Sequence, residues 1–287
     1  MEPAAKKWGI SASTLKLIAI FMMFLDHVGA AVVARLIRAA PVMLPQGTAE
    51  LLSRNRLQPL YWCLRVAGRP AFPMFCFLLV EGFQKTKDVK KYALRLGLFA
   101  LLSEVPFDLA IFNTPYTLQH QNVFFTLLAG LLTLIALRAV EERCRIRGDE
   151  AVGRLPETGQ APAAGQQPET GWASKTAQLK KVVLSGFVIL FGMAAAWFLN
   201  TDYSWAGVLA IVAMYLFRRF PLWQLSAGVL ALLLQSWIEG AALLAIFPIR
   251  LYNGRKGMKL KYFFYAFYPA HLLLLYGASV LLVFVRI

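Results

Sequence analysis

The chain has 287 residues, of which 59% are hydrophobic and only 16% charged, and its formal net charge is +15 at pH 7. Soluble domains are about half apolar and about a quarter charged, so this composition excludes an ordinary soluble domain. The Lys and Arg residues lie in short clusters between apolar runs, which is typical of the positive-inside bias and argues against a nucleic-acid partner. Cys63, Cys76 and Cys144 have no metal-ligand spacing and predict neither a disulfide framework nor a metal site.

Apolar runs near the roughly 20 residues that a membrane span needs recur along the chain. They predict an all-α, polytopic transmembrane bundle of about nine helices. The predicted helices cover residues 15–37, 60–84, 89–112, 122–140, 179–199, 203–217, 221–236, 238–252 and 261–285. Breaks are expected near Arg69–Pro70 and near Pro106, because proline removes a backbone donor from a helix. Residues 38–57 are predicted to form a loop or an interfacial segment.

Residues 141–178 are rich in Pro, Gly, Gln and charge, and this composition predicts a flexible cytoplasmic linker. We therefore expect residues 1–287 to form one transmembrane domain that the linker interrupts. The first apolar stretch is too long for the core of a cleaved signal peptide and contains Asp26–His27, so we expect it to be retained.

The distribution of basic residues predicts the orientation of the chain in the membrane. If the N-terminus is cytoplasmic, 23 of the 30 Lys and Arg residues fall on the cytoplasmic side. This bias predicts an N-in, C-out arrangement. The arginines of the segment 35–69 depart from the bias, which leaves three interpretations: an outer loop, a segment along the headgroups, or a site for an anionic ligand.

Ionisable side chains from three of the predicted spans fall at one depth. With the rise of an α-helix, His27, His271 and Glu104 all lie about 14–16 Å from the inner interface, near the bilayer midplane. Ionisable groups at that depth are costly and usually face a bundle interior, a partner or a cavity. Asp26 and His27 point roughly 100° apart on a helix. We therefore expect one to line a cavity and the other to bind a neighbouring helix.

Further polar residues flank these three. Asp108 lies one turn beyond Glu104 on the same helix face, and Arg69 is predicted within reach of the Asp108 level. Buried pairs of this kind often only hold helices together, so a structural role stays open for Arg69, Asp108 and Glu81. His120 is predicted to be a solvated loop residue. The chain has no G-x-G-x-x-G, P-loop or G-x-S-x-G motif.

Four stretches of the sequence carry a resemblance to a known family. They are LKLIAIFMMFLDHVGA, GRPAFPMFCFLLVEGFQKTKDVKKYALRLGLFALLSEVPFDLAIF, NVFFTLLAGLL and YNGRKGMKLKYFFYAFYPAHLLLL. In their order and combination they resemble the TraX family, named after the conjugation protein that acetylates the N-terminus of F-type pilin. The resemblance covers most of the chain except residues 141–178 and the fifth to eighth predicted helices. The family is in turn similar to membrane acyltransferases that use cytoplasmic acyl-CoA.

The resemblance implies a multi-pass acetyltransferase of the bacterial inner membrane. It would move an acetyl group from acetyl-CoA to an amine or hydroxyl, such as a pilin N-terminus or an envelope component. This chemistry needs a base, and a buried, uncharged histidine is suited to that role. We predict His27 or His271 as the base, oriented by Asp26 or Glu104. The other histidine would donate to the oxyanion or carry a transient acetyl group.

Coenzyme A is polyanionic, and basic side chains would bind its phosphates. We assign this role to Arg69, Lys85, Lys87, Arg95, Arg255 and Lys259. The other polar positions that the resemblance carries over, assigned here to the acceptor, are Glu81, Asp108 and Asn122.

The expected partners are therefore acetyl-CoA, the acceptor and membrane lipids. Two other function classes remain open. A proton-coupled carrier or flippase also uses midplane histidines and carboxylates, but the chain has no convincing internal repeat of the transporter kind. A non-catalytic partner in an envelope assembly would have no need of costly charges at mid-depth.

Overall fold

The computed structural model describes residues 8–43, 47, 48, 50, 53–153 and 170–284. These residues form a helical bundle without named strands, and the predicted all-α transmembrane fold is confirmed. In chain order the α-helices are α1 (Ala12–His27), α2 (Ala34–Met43), α3 (Gln58–Gly68), α4 (Ala71–Lys85), α5 (Val89–Phe112), α6 (Val123–Gly153), α7 (Thr170–Phe198), α8 (Ser204–Leu216), α9 (Pro221–Leu233), α10 (Ile246–Arg250) and α11 (Lys261–Phe284). Helical segments of other pitch are the π-helical Val28–Val33 and Ser53–Leu57 and the 3₁₀-helical Trp237–Ala245.

Among the described residues, five helical stretches are long and apolar enough to cross a membrane. They are Ala12–Val42, Arg54–Lys85, Val123–Cys144, Thr176–Phe198 and Tyr262–Val283. Large apolar side chains such as Phe187, Phe191 and Leu274 are exposed on the outside of the bundle, as a surface that contacts lipid requires. The protein is therefore a multi-pass membrane protein, and its N-in, C-out orientation stays a prediction.

Local side-chain chemistry explains several helix ends. Ser11 caps α1, where its hydroxyl accepts a hydrogen bond from the backbone N–H of Thr14 at 3.2 Å. Asp88 caps α5 in the same way through the N–H of Lys91 at 2.9 Å. Asn113 ends α5 in the left-handed conformation with φ of 60°, which Asn adopts more readily than most residues.

The two predicted proline breaks have different outcomes. The chain does break at Arg69–Pro70, between α3 and α4. The break predicted at Pro106 is wrong, because α5 continues through this residue to Phe112. A proline inside a membrane helix removes one backbone hydrogen bond, and neighbouring helices can compensate for the loss. Here Ser103 and Phe107 on either side of Pro106 are buried against the bundle.

Some predicted boundaries are also corrected. The first helix, predicted to end at residue 37, continues as α2 to Met43, so helix occupies the start of the predicted loop 38–57. α6 extends to Gly153 and α7 begins at Thr170. Parts of the predicted linker, 141–153 and 170–178, are therefore helical. Residues 154–169 lie outside the described residues, and the flexible cytoplasmic linker stays a prediction. Glu, Arg and Ala are good helix formers and let α6 continue past its apolar part.

The bundle brings the first and the last spans together. α1 packs against α3, α4 and α11, and α11 in turn crosses α5. The approach of α1 to α3 depends on Gly68, because a β-carbon at this position would overlap the β-carbon of Asp26. Small residues allow this kind of close contact between membrane helices.

Candidate active site

Two histidines from opposite ends of the chain meet inside the bundle. Nδ1 of His27 lies 2.8 Å from Nε2 of His271, and both residues are buried. His27 is the last residue of α1, and the π-helical segment Val28–Val33 begins directly after it. Such wider turns often occur at functional sites in helices. The prediction that these histidines share one depth therefore agrees with their contact, while their catalytic roles stay predictions.

The hydrogen bonds determine which ring nitrogens carry protons. Nδ1 of His271 lies 2.8 Å from the backbone carbonyl of Phe267, which can only accept, so this nitrogen donates. In a neutral His271 ring, Nε2 is then an acceptor, and Nδ1 of His27 must donate to it. Nε2 of His27 has no hydrogen-bond partner among the described residues and carries a free lone pair. The chain of bonds thus leaves one unoccupied basic nitrogen, on His27.

Aromatic rings surround the two histidines. The Phe267 ring stacks on His271 with centroids 4.8 Å apart and planes 16° apart. Tyr268 presents its ring edge-on to His27 and to His271, at 5.6 Å in each case. Phe24 lies 6.1 Å from His271. These contacts fix the orientation of both imidazoles and exclude bulk water from their faces.

Asp26 points toward a different helix from its neighbour His27, as the helical spacing requires. Its carboxylate binds Nη1 of Arg65 at 2.5 Å and also Nη2 of Arg69. Arg69 uses its other nitrogens as well: Nη1 binds Glu239 at 2.7 Å, and Nε donates to the carbonyl of Arg65 at 3.1 Å. The predicted depth of Arg69 near the Asp108 level stays a prediction, and no ion pair joins the two residues in the described structure. The guanidinium is held at the helix break by Asp26 and Glu239 instead.

Glu104, Asp108 and Asn122 lie together beside the connection between α5 and α6. The side-chain amide of Asn122 donates to Glu104 and to the carbonyl of Ala100, the latter at 2.8 Å. Asp108 accepts from the N–H of Thr117 at 2.8 Å. Oε1 of Glu104 and Oδ1 of Asp108 are buried and have no partner within the described ranges.

The predicted orienting role of Asp26 or Glu104 has no hydrogen bond to support it in the described structure. Asp26 binds arginines, and Glu104 binds Asn122. The group that orients the histidine pair is the Phe267 carbonyl. A direct electrostatic contribution of either carboxylate to catalysis stays a prediction.

His120 lies in a loop, as predicted, but it is only partly solvated and has a specific partner. Its Nε2 lies 3.1 Å from Oδ1 of Asp202, and its ring stacks on Phe107. The hydrogen bond to Asp202 raises the pKa of His120, against the opposing effect of partial burial, and the charges of Asp202, Glu104 and Asp108 raise it further. This end of the bundle therefore carries a cluster of carboxylates around one histidine.

The opposite end of the bundle carries basic side chains. Here Lys85 binds Glu81 at 2.7 Å, and the Tyr252 hydroxyl donates to the same carboxylate at 3.3 Å. Glu81, predicted to bind the acceptor, is thus paired with a residue predicted to bind the donor. Lys87 is exposed nearby, and Nε of Arg95 is buried without a partner in the part of the chain that the structure describes.

Residues 253–260, which we name the basic loop, are fixed to the first turn of α1. The backbone N–H groups of Ala12 and Ser13 donate to the carbonyls of Arg255 and Lys256 at 2.8 and 3.2 Å. Gly257 has φ of +71°, and a β-carbon there would overlap the Ser13 hydroxyl. The side chains of Arg255, Lys256 and Lys259 are exposed and have no salt bridge among the described residues. Hydrogen bonds therefore fix the backbone of the basic loop, and its cationic side chains remain available to a ligand.

Several contributors to the site could not be found by sequence reasoning. Glu239 lies in a segment without regular α-helical periodicity, and only its charge within an apolar run hinted at a buried partner. Asp202 follows a short turn, and nothing near it in the sequence points to His120. Tyr268 belongs to an aromatic run that resembles an interfacial belt, yet it is buried against both histidines.

The chain is similar to known proteins in sequence. The protein-family model described as "TraX protein" matches residues 11–279. The chain is also 34% identical over 132 residues to the probable fimbrial assembly protein FimC, serogroup H1, of Dichelobacter nodosus. That alignment covers 44% of this chain and 46% of the relative, so less than half of either protein is matched. No solved structure matches the chain.

Proposed function

This chain belongs to the TraX family, and on that basis we propose that it is a membrane-embedded acetyltransferase. Its donor is acetyl-CoA from the cytoplasm, and its acceptor is an amine or hydroxyl. The bacterial inner membrane is the membrane that gives access to this donor. The FimC relative is named for fimbrial assembly, and the family is named after a pilin-acetylating protein. A pilin N-terminus is therefore the first acceptor to test.

The observation that carries the proposal is the free Nε2 of His27. A base must have a lone pair that no other group occupies. His271 has both of its nitrogens in hydrogen bonds, to His27 and to the Phe267 carbonyl. This arrangement favours His27 as the base and His271 as the residue that positions it. It argues against His271 as the carrier of a transient acetyl group.

Nε2 of His27 removes a proton from the neutral amine or the hydroxyl while its nitrogen or oxygen bonds to the thioester carbonyl carbon. The carbon–sulfur bond breaks, and the thiolate of coenzyme A takes the proton from Nε2. His271 remains hydrogen-bonded to Nδ1 of His27 throughout and shares the transient positive charge.

The basic loop supports a donor site at one end of the bundle. Arg255 and Lys259 are exposed on a backbone that hydrogen bonds fix to α1. Arginine and lysine bind phosphates as forks and as point charges. Along α1, His27 lies about 22 Å from Ala12, which suits an extended pantetheine arm. Arg69 is a weaker candidate for phosphate binding, because Asp26, Glu239 and the Arg65 carbonyl occupy its nitrogens.

The carboxylates at the other end favour an amine over a hydroxyl as the acceptor. Three carboxylates lie there, on Glu104, Asp108 and Asp202. Among the described residues only His120, bonded to Asp202, forms a salt bridge with them. Two of their buried oxygens have no hydrogen-bond partner. The cationic form of an amine would compensate these charges on binding, before loss of a proton makes it a nucleophile, and a hydroxyl would not.

Binding of acetyl-CoA to the purified protein tests the proposal. Calorimetry should give saturable binding in the micromolar range, which the variant Arg255→Gln/Lys259→Gln weakens. The matched control is Lys180→Gln/Lys181→Gln, which removes two cations from α7 and leaves the basic loop intact. The second measurement is release of free coenzyme A thiol on addition of a pilin N-terminal peptide, with mass spectrometry of the peptide for an added acetyl group.

The binding and transfer measurements can support or contradict the proposal. Binding and acetyl transfer in the wild type, lost in His27→Ala, would support the acetyltransferase. If neither acetyl-CoA nor free coenzyme A binds, the proposal is wrong, and transport assays in vesicles would test the carrier instead. Equal weakening by both double substitutions would contradict the assignment of the donor site to the basic loop.

A further inference from the structure

A cavity of about 730 Å³ lies between α2, the end of α5 and the second half of α11. Its polar lining consists of Arg35, Arg38, Asn113 and Tyr276. Its apolar walls include Phe112 and Val280. None of these residues belongs to the histidine pair, the basic loop or the carboxylate cluster, so the proposed acetyl transfer leaves the cavity without a role.

The cavity is positively charged. Nη2 of Arg35 donates to the carbonyl of Leu109 at 3.3 Å and to Oδ1 of Asn113 at 3.0 Å. The guanidinium also lies over the Tyr276 ring, 5.1 Å from its centroid. These contacts fix the Arg35 side chain. Its other guanidinium N–H groups donate no hydrogen bond among the described residues. Arg38 is exposed and has no salt bridge among the described residues, and no Asp or Glu lines the cavity.

The position of the cavity matches the boundary between hydrocarbon and headgroups. Arg35 lies 23 residues after the start of α1, about 35 Å along the helix axis. The hydrocarbon core is about 30 Å thick, so Arg35 and Arg38 reach the headgroup layer opposite the basic loop. Phe112 lies at the corresponding end of α5. A ligand that enters here meets two arginines at headgroup depth and apolar walls toward the membrane interior.

We propose that this cavity binds the phosphate of an anionic phospholipid. Arg35 and Arg38 would hold the phosphate by charge-assisted hydrogen bonds, since guanidinium groups match phosphate geometry. One acyl chain would lie along Phe112 and Val280. The site is separate from the acyl-transfer centre, because His27 lies about 12 Å before Arg35 along the first span.

Lipid binding to the purified protein tests this directly. The probes are dioctanoyl phosphatidylglycerol and dioctanoyl phosphatidylcholine, which share acyl chains and differ in net charge. Native mass spectrometry should show phosphatidylglycerol bound about tenfold or more tightly than phosphatidylcholine, since each basic residue near a surface adds roughly a factor of five for anionic lipid. Arg35→Gln/Arg38→Gln should abolish this preference, and Lys180→Gln/Lys181→Gln should preserve it.

A second variant and a competitor complete the test. Val280→Trp fills the cavity without removing a charge and should weaken binding of both lipids. Inorganic phosphate at millimolar concentration should not displace phosphatidylglycerol, because it lacks the acyl chains. The proposal is overturned if both lipids bind equally to the wild type, if the arginine variant keeps the preference while folded, or if inorganic phosphate competes. None of these readouts depends on acetyl-CoA, so they are independent of the proposed catalysis.

Discussion

The Nδ1 atom of His27 donates a hydrogen bond to Nε2 of His271, and that ring is in turn fixed by the Phe267 carbonyl. The direction of this bond gives the two histidines unequal roles. His27 offers a free nitrogen to a substrate, whereas His271 offers only an acceptor to His27. The two positions should therefore respond differently to substitution by amides.

We expect His271→Gln to retain more acetyl-transfer activity than His271→Asn. The Gln side-chain oxygen reaches about as far as Nε2 and can accept from His27, whereas the shorter Asn cannot. His27→Gln should be inactive, with a loss of roughly 10²–10⁴-fold, because the amide supplies no base. The measurement is release of coenzyme A thiol by protein reconstituted in vesicles.

The alanine variants provide the control for this series. His27→Ala and His271→Ala should each fold, as judged by thermal unfolding in detergent, and lose transfer. Full activity in both would exclude the proposed mechanism. Equal activity of His271→Asn and His271→Gln would show that the hydrogen bond from His27 to Nε2 of His271 does not contribute to acetyl transfer.

The contact between Gly68 and Asp26 predicts a large effect from a single methyl group. A β-carbon at Gly68 would overlap side-chain and backbone atoms of Asp26. Gly68→Ala should therefore destabilise the protein by about 1–3 kcal/mol through overpacking. Gly186→Ala is the matched control, because a β-carbon there meets nothing within 4 Å. It should be neutral or stabilising by about 0.5–1 kcal/mol. Similar unfolding temperatures for the two variants would contradict the close approach of α1 and α3.

The buried ion pair between Asp26 and Arg69 should show strong coupling. Asp26→Asn leaves arginines without their counter-charge, and removal of one partner of a buried pair costs about 3–5 kcal/mol. Arg69→Met likewise leaves Asp26 and Glu239 without their shared counter-charge. The double variant should lose about 1–3 kcal/mol less than the sum of the single variants. Equilibrium unfolding in mixed detergent measures all three.

The exposed pair of Lys91 and Asp88 is the control for this cycle. Its side chains are 76% and 45% accessible at a distance of 3.3 Å. Exposed ion pairs contribute little to the free energy of unfolding, so Lys91→Gln should leave stability almost unchanged. Additive losses for Asp26→Asn and Arg69→Met would exclude a direct interaction between the two residues.

The raised pKa of His120 predicts a stability difference that depends on pH. Because the hydrogen bond and charge of Asp202 raise this pKa in the folded protein, the pair stabilises the fold fully below the ordinary histidine pKa of about 6.5. The contribution is lost as the pH rises through the raised value. The gap in unfolding temperature between wild type and Asp202→Asn should therefore narrow from pH 5.5 to pH 9.

The variant His120→Asn controls for other titrating groups. In the His120→Asn background, Asp202→Asn should change the unfolding temperature only slightly. The change should depend little on pH, since the titrating partner is gone. If the difference in unfolding temperature between wild type and Asp202→Asn widens with rising pH, the result would exclude a protonated His120 as the partner of Asp202.

Periodicity and length predict most helices of the bundle, because burial in lipid requires long apolar runs. The exception is the predicted helix 238–252, which is the 3₁₀ helix Trp237–Ala245 followed by the short α10. The residues 89–112 of α5 were predicted at the bounds that the structure gives. The depth of His27 and His271 could also be predicted, because helix rise converts residue number into distance. Their direct contact could not, because it depends on how α11 rotates against α1.

Other features required the three-dimensional packing. The π-helical turn after His27 shifts the register of the first span, and nothing in VGAAVV specifies it. The partner of Arg69 depended on where the short 3₁₀ segment with Glu239 returns to the bundle. Composition alone also does not predict the helix over 141–153, because helix-forming charged residues can continue a helix past its apolar part.

The hydrogen bond between His27 and His271 joins residues that are 244 positions apart in the chain. His27 ends α1 and His271 lies in α11, so α1 is synthesised long before its partner helix. During synthesis, α1 therefore enters the membrane before α11 has been translated. A ribosome-bound chain that lacks α11 carries α1 to α10 but no histidine pair. Under the proposed mechanism, the protein therefore becomes competent only after α11 inserts, and termination before α11 yields an inert product.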